Sequence, residues 1–486
     1  MIFIHNFFTV IKEQAMSAMR DVIIVGAGSA GLSALREVRK NTDNFLIINE
    51  GPLGTTCART GCMPSKALIE AANAFHQRHS FGVFGISGAE SLTLDIPAVL
   101  KRVRTLRDFF VSSTLPATND LGEKHLDGQA RLTGPNSLEV NGQHYEAHKI
   151  ILAPGSSPYI PEDWNLPADR LLTSDNLFDQ TDLPARIAVI GLGAIGLELA
   201  QALSRLGIEV HAFGSKPLLG GLSDPKINAN LRELLEQEFP IITGEQLRFS
   251  AGDDGVTISW GEESVQVDKV VAATGRRPNL ANLGLDTLGI TLDQKGLPSV
   301  NPETLQVADL PIYLTGDANG ERALLHEASD EGHIAGINAS SATGITFKRR
   351  VPLAIVFSDP NIAVVGKPMA KLDASTMVPG SVDYSKQGRA RTADKNRGRL
   401  TVYADSHNGL LLGAEMCAPG GEHLAHLIAL AIESRLTAHD LLRLPFYHPT
   451  LEEGLRTALR EIVGQVPHGE ISDLADCSGL DIPALE

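Results

Sequence analysis

The sequence predicts an α/β protein built on two parallel-sheet units. Three observations carry this. A short β-branched apolar run near the N-terminus leads into a G-x-G-x-x-G turn. The same pattern returns 165 residues later. The 486-residue length leaves room for about three domains.

The first copy begins with Val22–Val25, an apolar run suited to a fully buried parallel strand. Gly26, Gly28 and Gly31 follow, then a helical stretch, then the strand Phe45–Asn49 ending at Glu50. Glycines alone would mean little. Strand, turn, helix, strand and terminal acid together form a dinucleotide-binding fingerprint. Gly26 permits the tight turn, Gly28 lets a pyrophosphate approach the backbone, and Gly31 lets the helix pack on the strand. The helix N-terminus offers free N–H groups to the phosphates, and Glu50 is placed to accept from a ribose.

The second copy runs from strand Ile187–Ile190 through Gly191, Gly193 and Gly196 to a helix and the strand Glu209–Phe213. Here Gly214, Ser215 and Lys216 stand where a ribose-binding acid is expected. An acid would favour NAD(H), whereas Ser215 and Lys216 can hold the 2′-phosphate of NADP(H) or simply form a solvated loop. The choice stays open. Two complete units imply two dinucleotides, which points to electron relay between a flavin and a nicotinamide.

Bulk properties narrow the class. Hydrophobic residues make up 43 % and charged residues 21 %, and the net charge is −16. That balance excludes a nonspecific nucleic-acid binder, which needs a positive field. The basic runs Lys101–Arg107 and Lys348–Arg350 read as a solvated helix face or a linker. No uncharged apolar run reaches the roughly 18 residues of a membrane span. The first 19 residues read as an extension lacking the features of a signal peptide, so a soluble cytoplasmic protein without a membrane partner is expected.

Only four cysteines are present, which fits a reducing compartment. Two of them, Cys57 and Cys62, stand five positions apart in "LGTTCARTGCMPSKAL". Pro64 is placed like a first-turn helix proline, with Cys62 just ahead of that turn, where the helix dipole favours a thiolate. Five residues of ideal helix span about 7.5 Å, whereas a disulfide wants Cα atoms about 4.4–6.8 Å apart. The segment must therefore bend, and Thr60–Gly61 supplies the point. A metal site would need further ligands, and no second Cys/His pair stands at zinc spacing. The redox reading is preferred, and no metal is expected.

Beyond these elements the chain carries C-x4-C-x-P-S-K at Cys57–Lys66, "APGSSP" at Ala153–Pro158, "ATGRRPN" at Ala273–Asn279 and "YLTGDANG" at Tyr313–Gly320. "LLHEASDEG" at Leu324–Gly332, "FSDPNIAVVG" at Phe357–Gly366 and "HPTLEE" at His448–Glu453 follow. In this order and spacing, from Asp21 to Gln465, the sequence resembles the class I pyridine nucleotide–disulfide oxidoreductases. "HPTL" and "PSK" lean towards dihydrolipoamide dehydrogenase within that family.

The resemblance implies FAD held by Gly26, Gly28, Gly31, Glu50, Thr56, Lys66, Ala130, Gly155, Gly316 and Asp317. It implies NAD or NADP at Gly191, Gly193, Gly196, Gly214 and Gly275, and a Lys66–Glu198 ion pair below the flavin. Cys57 and Cys62 would form the redox disulfide, with Cys62 flavin-proximal and Cys57 exchanging with substrate. His448 and Glu453 would serve the partner subunit's cysteines, making the enzyme a homodimer. The implied substrate is a small dithiol or disulfide, with a lipoyl-domain protein as a further partner. The alternatives are a glutathione-reductase-like enzyme and a flavoprotein scaffold without catalysis.

The implied architecture is two Rossmann-like domains plus a C-terminal α/β dimerisation domain. Its segments are an extension at 1–19, an FAD domain at 20–155 and an NAD(P) domain at 156–277. A central segment at 278–350 completes the flavin site, the dimerisation domain spans 351–467, and the tail 468–486 contains Cys477. Several positions depart from the family pattern: Thr55 and Pro154, the Ala58–Gly61 stretch between the cysteines, and Gly214. Arg59, a long cation in the redox loop, either faces solvent or acts on the thiols.

Overall fold

A computed structural model describes residues 19–467. The tail with Cys477, and all but the last residue of the N-terminal extension, lie outside the described residues. The chain forms two compact units.

The first unit combines the segments up to residue 56, 111–157 and 277–348. Its sheet is centred on Arg20–Val25, flanked by parallel strands Phe45–Asn49 and Gln143–Leu152. His125–Asp127 and Ile312–Leu314 extend it on either side. Alternation along the central strands sends side chains to opposite faces. Ile23, Val25, Leu46 and Ile48 enter one core, and Val22, Ile24, Phe45 and Ile47 enter the other. All eight are buried, which explains the unbroken apolar runs. On the second face, the helices Ser29–Asn41 and Leu325–Ser340 pack very closely. A Cβ at Gly332 would stand 2.0 Å from the Ala30 carbonyl oxygen, and one at Gly336 would stand 2.6 Å from that of Ala34.

The second unit combines 57–110, 158–276 and the segment from 349. It holds a parallel five-stranded sheet centred on Arg186–Ile190 and Glu209–Gly214. It also holds an antiparallel five-stranded sheet of residues 353–418. The helices Gly421–Glu433 and Glu453–Val463 share an apolar core with that sheet.

The helix Cys62–His76 packs into the core of the parallel sheet through Ala67, Leu68, Ile69 and Ala72. Arg205, 1 % exposed, binds Glu238 at 2.7 Å, Asp359 at 3.0 Å and Asn73 of that helix at 2.6 Å. A buried guanidinium is tolerable only when its donors are matched in this way.

The basic run Lys101–Arg107 lies in the helix Ile96–Thr114 but is more than a solvated face. Arg102 donates to the Ala67 carbonyl, Arg104 to that of Gln180, and Arg107 pairs with Asp108 and Asp179. Among the described residues, no helix is long and apolar enough to cross a membrane.

Candidate redox site and nucleotide turns

The two glycine turns have nearly the same geometry. In the first, Gly26 has φ +106°, and a Cβ there would meet the Ala153 carbonyl oxygen at 2.1 Å. A Cβ at Gly31 would fall 1.8 Å from the Gly26 carbonyl oxygen. Gly28 is different: nothing lies within 4 Å of its added Cβ. It opens the helix Ser29–Asn41, which has neither a side-chain cap nor an acid in its first turn. Its N-terminal N–H groups therefore remain available to an anion.

Gly316, with φ +72°, packs near the same helix start, its added Cβ 3.0 Å from that of Ala30. Asp317 accepts from the Ser156 hydroxyl at 2.7 Å. Thr315 beside them is fully buried, and its hydroxyl has no hydrogen-bond partner among the described residues. An open glycine, an uncapped helix and an orphaned hydroxyl fit a bound dinucleotide. Glu50 is exposed just past the strand Phe45–Asn49, Ala130 is buried at the start of Ala130–Gly134, and Gly155 has φ +71° with open space around it.

Glu331 did not emerge from sequence reasoning, although it lies in "LLHEASDEG". It is 1 % exposed and accepts from the Gly316 N–H at 2.6 Å and the Asn319 amide at 2.7 Å. It thereby holds the turn that carries Asp317.

In the second turn, Gly191 has φ +105°, and an added Cβ would meet the Ala273 carbonyl oxygen at 2.2 Å. A Cβ at Gly196 would fall 1.7 Å from the Gly191 carbonyl oxygen, while Gly193 faces open space. The helix Ala194–Arg205 is likewise uncapped by side chains. Gly275, φ +111°, accepts from the Tyr159 N–H at 2.9 Å. The strand Glu209–Gly214 runs one residue further than expected, and Ser215 and Lys216 beyond it are exposed.

The redox segment bends as its spacing requires. Thr56 opens the short helix Thr56–Arg59, which contains Cys57 and ends before Thr60. A second helix, Cys62–His76, starts at Cys62 itself rather than after it. Gly61 at φ −113°, ψ −115° makes the break. The two thiols are reduced, and Cys57 hydrogen-bonds to the Cys62 sulfur.

That bond splits the pair's acidity. The Cys57 hydrogen bond is the largest influence on Cys62, and the Lys66 ammonium assists it. Burial and Glu198 oppose them, leaving Cys62 pulled down to about 7. Cys57 is pushed well above the ordinary thiol range, chiefly because it donates to its neighbour. The environment thus favours the proton on Cys57 and the thiolate on Cys62.

Lys66 binds both Glu198 oxygens, at 2.9 and 2.8 Å, and its ammonium lies 4.4 Å from the Phe357 ring centroid. The Phe357 N–H donates to Glu198 at 2.9 Å. Arg59 is half-buried, and the largest charge influences on Cys62 are Lys66 and Glu198. Cys417 is fully buried in the C-terminal unit, and burial raises its thiol far out of the reactive range.

His448 and Glu453 meet directly. Nδ1 lies 3.0 and 3.1 Å from the two carboxylate oxygens. The Thr450 N–H donates to the same carboxylate at 3.2 Å. These bonds, with the His448 bond the largest influence, hold the Glu453 carboxyl below its usual range. The imidazole side chain is 81 % exposed. With Nδ1 turned to the carboxylate, Nε2 is the nitrogen left to exchange a proton. Among the described residues, no hydrogen bond or ion pair joins this pair to the cysteines of the same chain. No cluster of three or more metal-ligating side chains occurs among them either.

Comparison with known proteins places this geometry in context. A family model described as pyridine nucleotide-disulphide oxidoreductase matches residues 20–332, and the dimerisation domain of the same family matches 352–459. Dihydrolipoyl dehydrogenase of Thermus scotoductus is 31 % identical over 462 residues, covering 92 % of this chain and 98 % of that protein. Mercuric reductase of Staphylococcus aureus is 28 % identical, over 94 % of this chain and 84 % of its own. Among solved structures, a Cu(II) complex of the HOCl-induced flavoprotein disulfide reductase RclA from Escherichia coli superposes with a TM-score of 0.80. Its identity is 21 %, and the match covers 91 % of this chain and 99 % of that one. LpdA from Mycobacterium tuberculosis gives 0.79 at 23 % identity, again over 91 % and 99 %. At these identities the solved structures establish the fold alone. The family models, which together span most of the described residues, establish that this chain belongs to the pyridine nucleotide-disulphide oxidoreductases, FAD-dependent enzymes with an NAD(P)-binding domain.

Proposed function

We propose that the chain is a homodimeric dihydrolipoamide dehydrogenase, oxidising a small dithiol through the Cys57–Cys62 disulfide. One feature carries this most strongly: the Cys57 thiol and the Lys66 ammonium, itself held by Glu198, both favour the thiolate on Cys62 and leave the proton to Cys57. A disulfide whose two sulfurs differ in acidity opens in one direction, because the sulfur of lower pKa is the better leaving group. Relatives named dihydrolipoyl dehydrogenase, matched over nearly their full length, support the choice of substrate.

FAD, held by Gly26, Gly28, Gly31, Glu50 and Asp317, would supply two-electron acceptance between the thiols and the nicotinamide. The protein's own residues handle sulfur and protons. His448 Nε2 of one subunit takes the proton from the first substrate thiol, with Glu453 stabilising the imidazolium. The substrate thiolate attacks Cys57, its new S–S bond forms, and the Cys57–Cys62 bond breaks. Cys62 departs as the thiolate that Lys66 stabilises. The second substrate thiol then attacks the first substrate sulfur, closing the substrate disulfide and releasing Cys57; its proton passes to Cys57, while His448 keeps the first. Two electrons pass from the substrate to the cysteine pair. Acid–base help of this kind is typically worth about 10²–10⁴-fold.

The test assays the flavin-loaded protein with dihydrolipoamide, lipoamide and glutathione disulfide, using each nicotinamide cofactor. Turnover of either lipoyl form supports the proposal, and inactivity on both refutes it. A second reading, a reductase of another small disulfide, draws on Thr55 and Arg59 near the exchanging sulfur. Activity on glutathione disulfide alone would favour it. A scaffold role would require Cys57→Ser to leave the cellular function intact.

A further inference from the structure

The residues Arg443 to Glu452, which carry His448, contain no regular helix or strand. Tyr447 is 74 % exposed, so packing does little to fix the imidazole. Hydrogen bonds hold it instead. The Thr450 N–H is held by Glu453, and the Thr450 hydroxyl donates to the Tyr447 carbonyl at 2.9 Å. The Thr450 carbonyl accepts from Gln387 Nε2 at 2.6 Å, across 63 residues of sequence. A weaker anchor from the same region, the Tyr384 hydroxyl, reaches the Leu451 carbonyl at 3.4 Å.

Gln387 is itself fixed. Its Oε1 accepts from the Ala390 N–H at 2.6 Å, capping the short helix Gly388–Thr392. An N–H on one side and a carbonyl on the other define which end of the amide is which. Thr450 is thus held on both sides, its N–H by Glu453 and its carbonyl by Gln387. Glu453 also binds His448, so a shift of Thr450 would disturb the histidine's only orienting partner among the described residues.

We infer that Gln387 is a positioning residue for the proton-transfer histidine, holding the His448 loop through the Thr450 carbonyl. This rests on the proposed role of His448. Without Gln387, Thr450 turns, Glu453 shares its carboxylate differently, and the imidazole loses its direction. Displacements of this size cost rate rather than affinity.

The test uses the full-length flavin-loaded enzyme with three substitutions. Gln387→Glu keeps the oxygen that caps Ala390 but presents an oxygen to the Thr450 carbonyl. Gln387→Leu loses both bonds. His448→Ala tests the underlying reading. Gln387→Glu is expected to keep wild-type flavin content and to lose less thermal stability than Gln387→Leu. It should lower kcat for dihydrolipoamide about tenfold with KM unchanged. Single-turnover flavin reduction by the nicotinamide, which does not need the histidine, should stay the same. Gln387→Leu should show the same kcat loss plus lower stability. Wild-type kcat in Gln387→Glu, or a loss confined to stability or flavin content, overturns the inference if His448→Ala falls more than about 100-fold. Wild-type activity in His448→Ala overturns the role of the histidine itself.

Discussion

Replacing Cys57 with alanine tests the division of acidity within the thiol pair. The substitution removes the hydrogen bond that contributes most to lowering Cys62. Lys66 remains, but burial and Glu198 oppose it. The Cys62 midpoint should therefore rise from about 7 towards the ordinary value of about 8.5. At pH 7, a rise of about 1.5 units cuts the thiolate fraction from about one half to about 3 %. A more basic thiolate is also more nucleophilic, by roughly fivefold for that shift at a Brønsted slope of 0.4–0.5. The net expectation at pH 7 is about a threefold slower reaction of Cys62 with an alkylating reagent. Above about pH 9, where both proteins are ionised, the variant should react faster. The two pH–rate curves must therefore cross. The assay pulses reduced protein with iodoacetamide between about pH 5.5 and about pH 9.5 and quantifies the modified Cys62 peptide by mass spectrometry. A midpoint that stays at wild type or falls, or curves that do not cross, would refute the reasoning.

Four further substitutions test other parts of the chain. Lys66→Met leaves Glu198, whose side chain is 7 % exposed, with the Phe357 N–H but without its cation; thermal unfolding should show a loss of about 2 kcal/mol, and the Cys62 midpoint should rise. Gly28→Ala, with nothing within 4 Å of the new methyl, should keep the apoprotein's stability but weaken FAD binding in fluorescence titration. Gly31→Ala, with a backbone oxygen at 1.8 Å, should destabilise the apoprotein itself, by more than about 2 kcal/mol. Lys216→Glu introduces the missing acid beyond Gly214, and the ratio of kcat/KM for NADPH to that for NADH should fall at least about tenfold, a change of about 1.4 kcal/mol.

The sequence made the βαβ units legible because each depends on contacts made within a few dozen residues. A β-branched run, a glycine turn and a helix start are local, and the close approach of the Gly26 carbonyl excludes any side chain at Gly31. The bend between Cys57 and Cys62 was legible for the same reason: the covalent reach of a disulfide conflicts with a straight helix. Long-range bonds from a side chain to a backbone group were not legible, unlike the Lys66–Glu198 ion pair that the family resemblance implied. Glu331 acts on Gly316 across 15 residues, Phe357 on Glu198 across 159, and Gln387 on Thr450 across 63. Each uses a backbone N–H or C=O on one side, and those groups are identical at every residue other than proline. Sequence pattern therefore carries no sign of which backbone group a side chain will meet. The arginines of Lys101–Arg107 show the same effect, since carbonyls of Ala67 and Gln180 capture two of them.

The thiol pair and the histidine pair solve one problem in opposite ways. Each couples a group that must change protonation to a neighbour that does not leave. In the reduced pair Cys57 lends its proton to Cys62 through a direct bond, so the thiolate is favoured on Cys62. Glu453 stays ionised beside His448, so the histidine can accept a proton without creating an isolated charge. The first pair is fixed by two helices that start and stop around Gly61, and its geometry is a property of regular structure. In the second pair His448 sits on an exposed loop and is oriented by Glu453, the first residue of the helix Glu453–Val463. A proton carrier on such a loop needs anchors from elsewhere in the chain. It follows that substitutions in the segment around Gln387 should affect catalysis without touching either cysteine, whereas equally distant substitutions behind the helix Cys62–His76 should act through stability first.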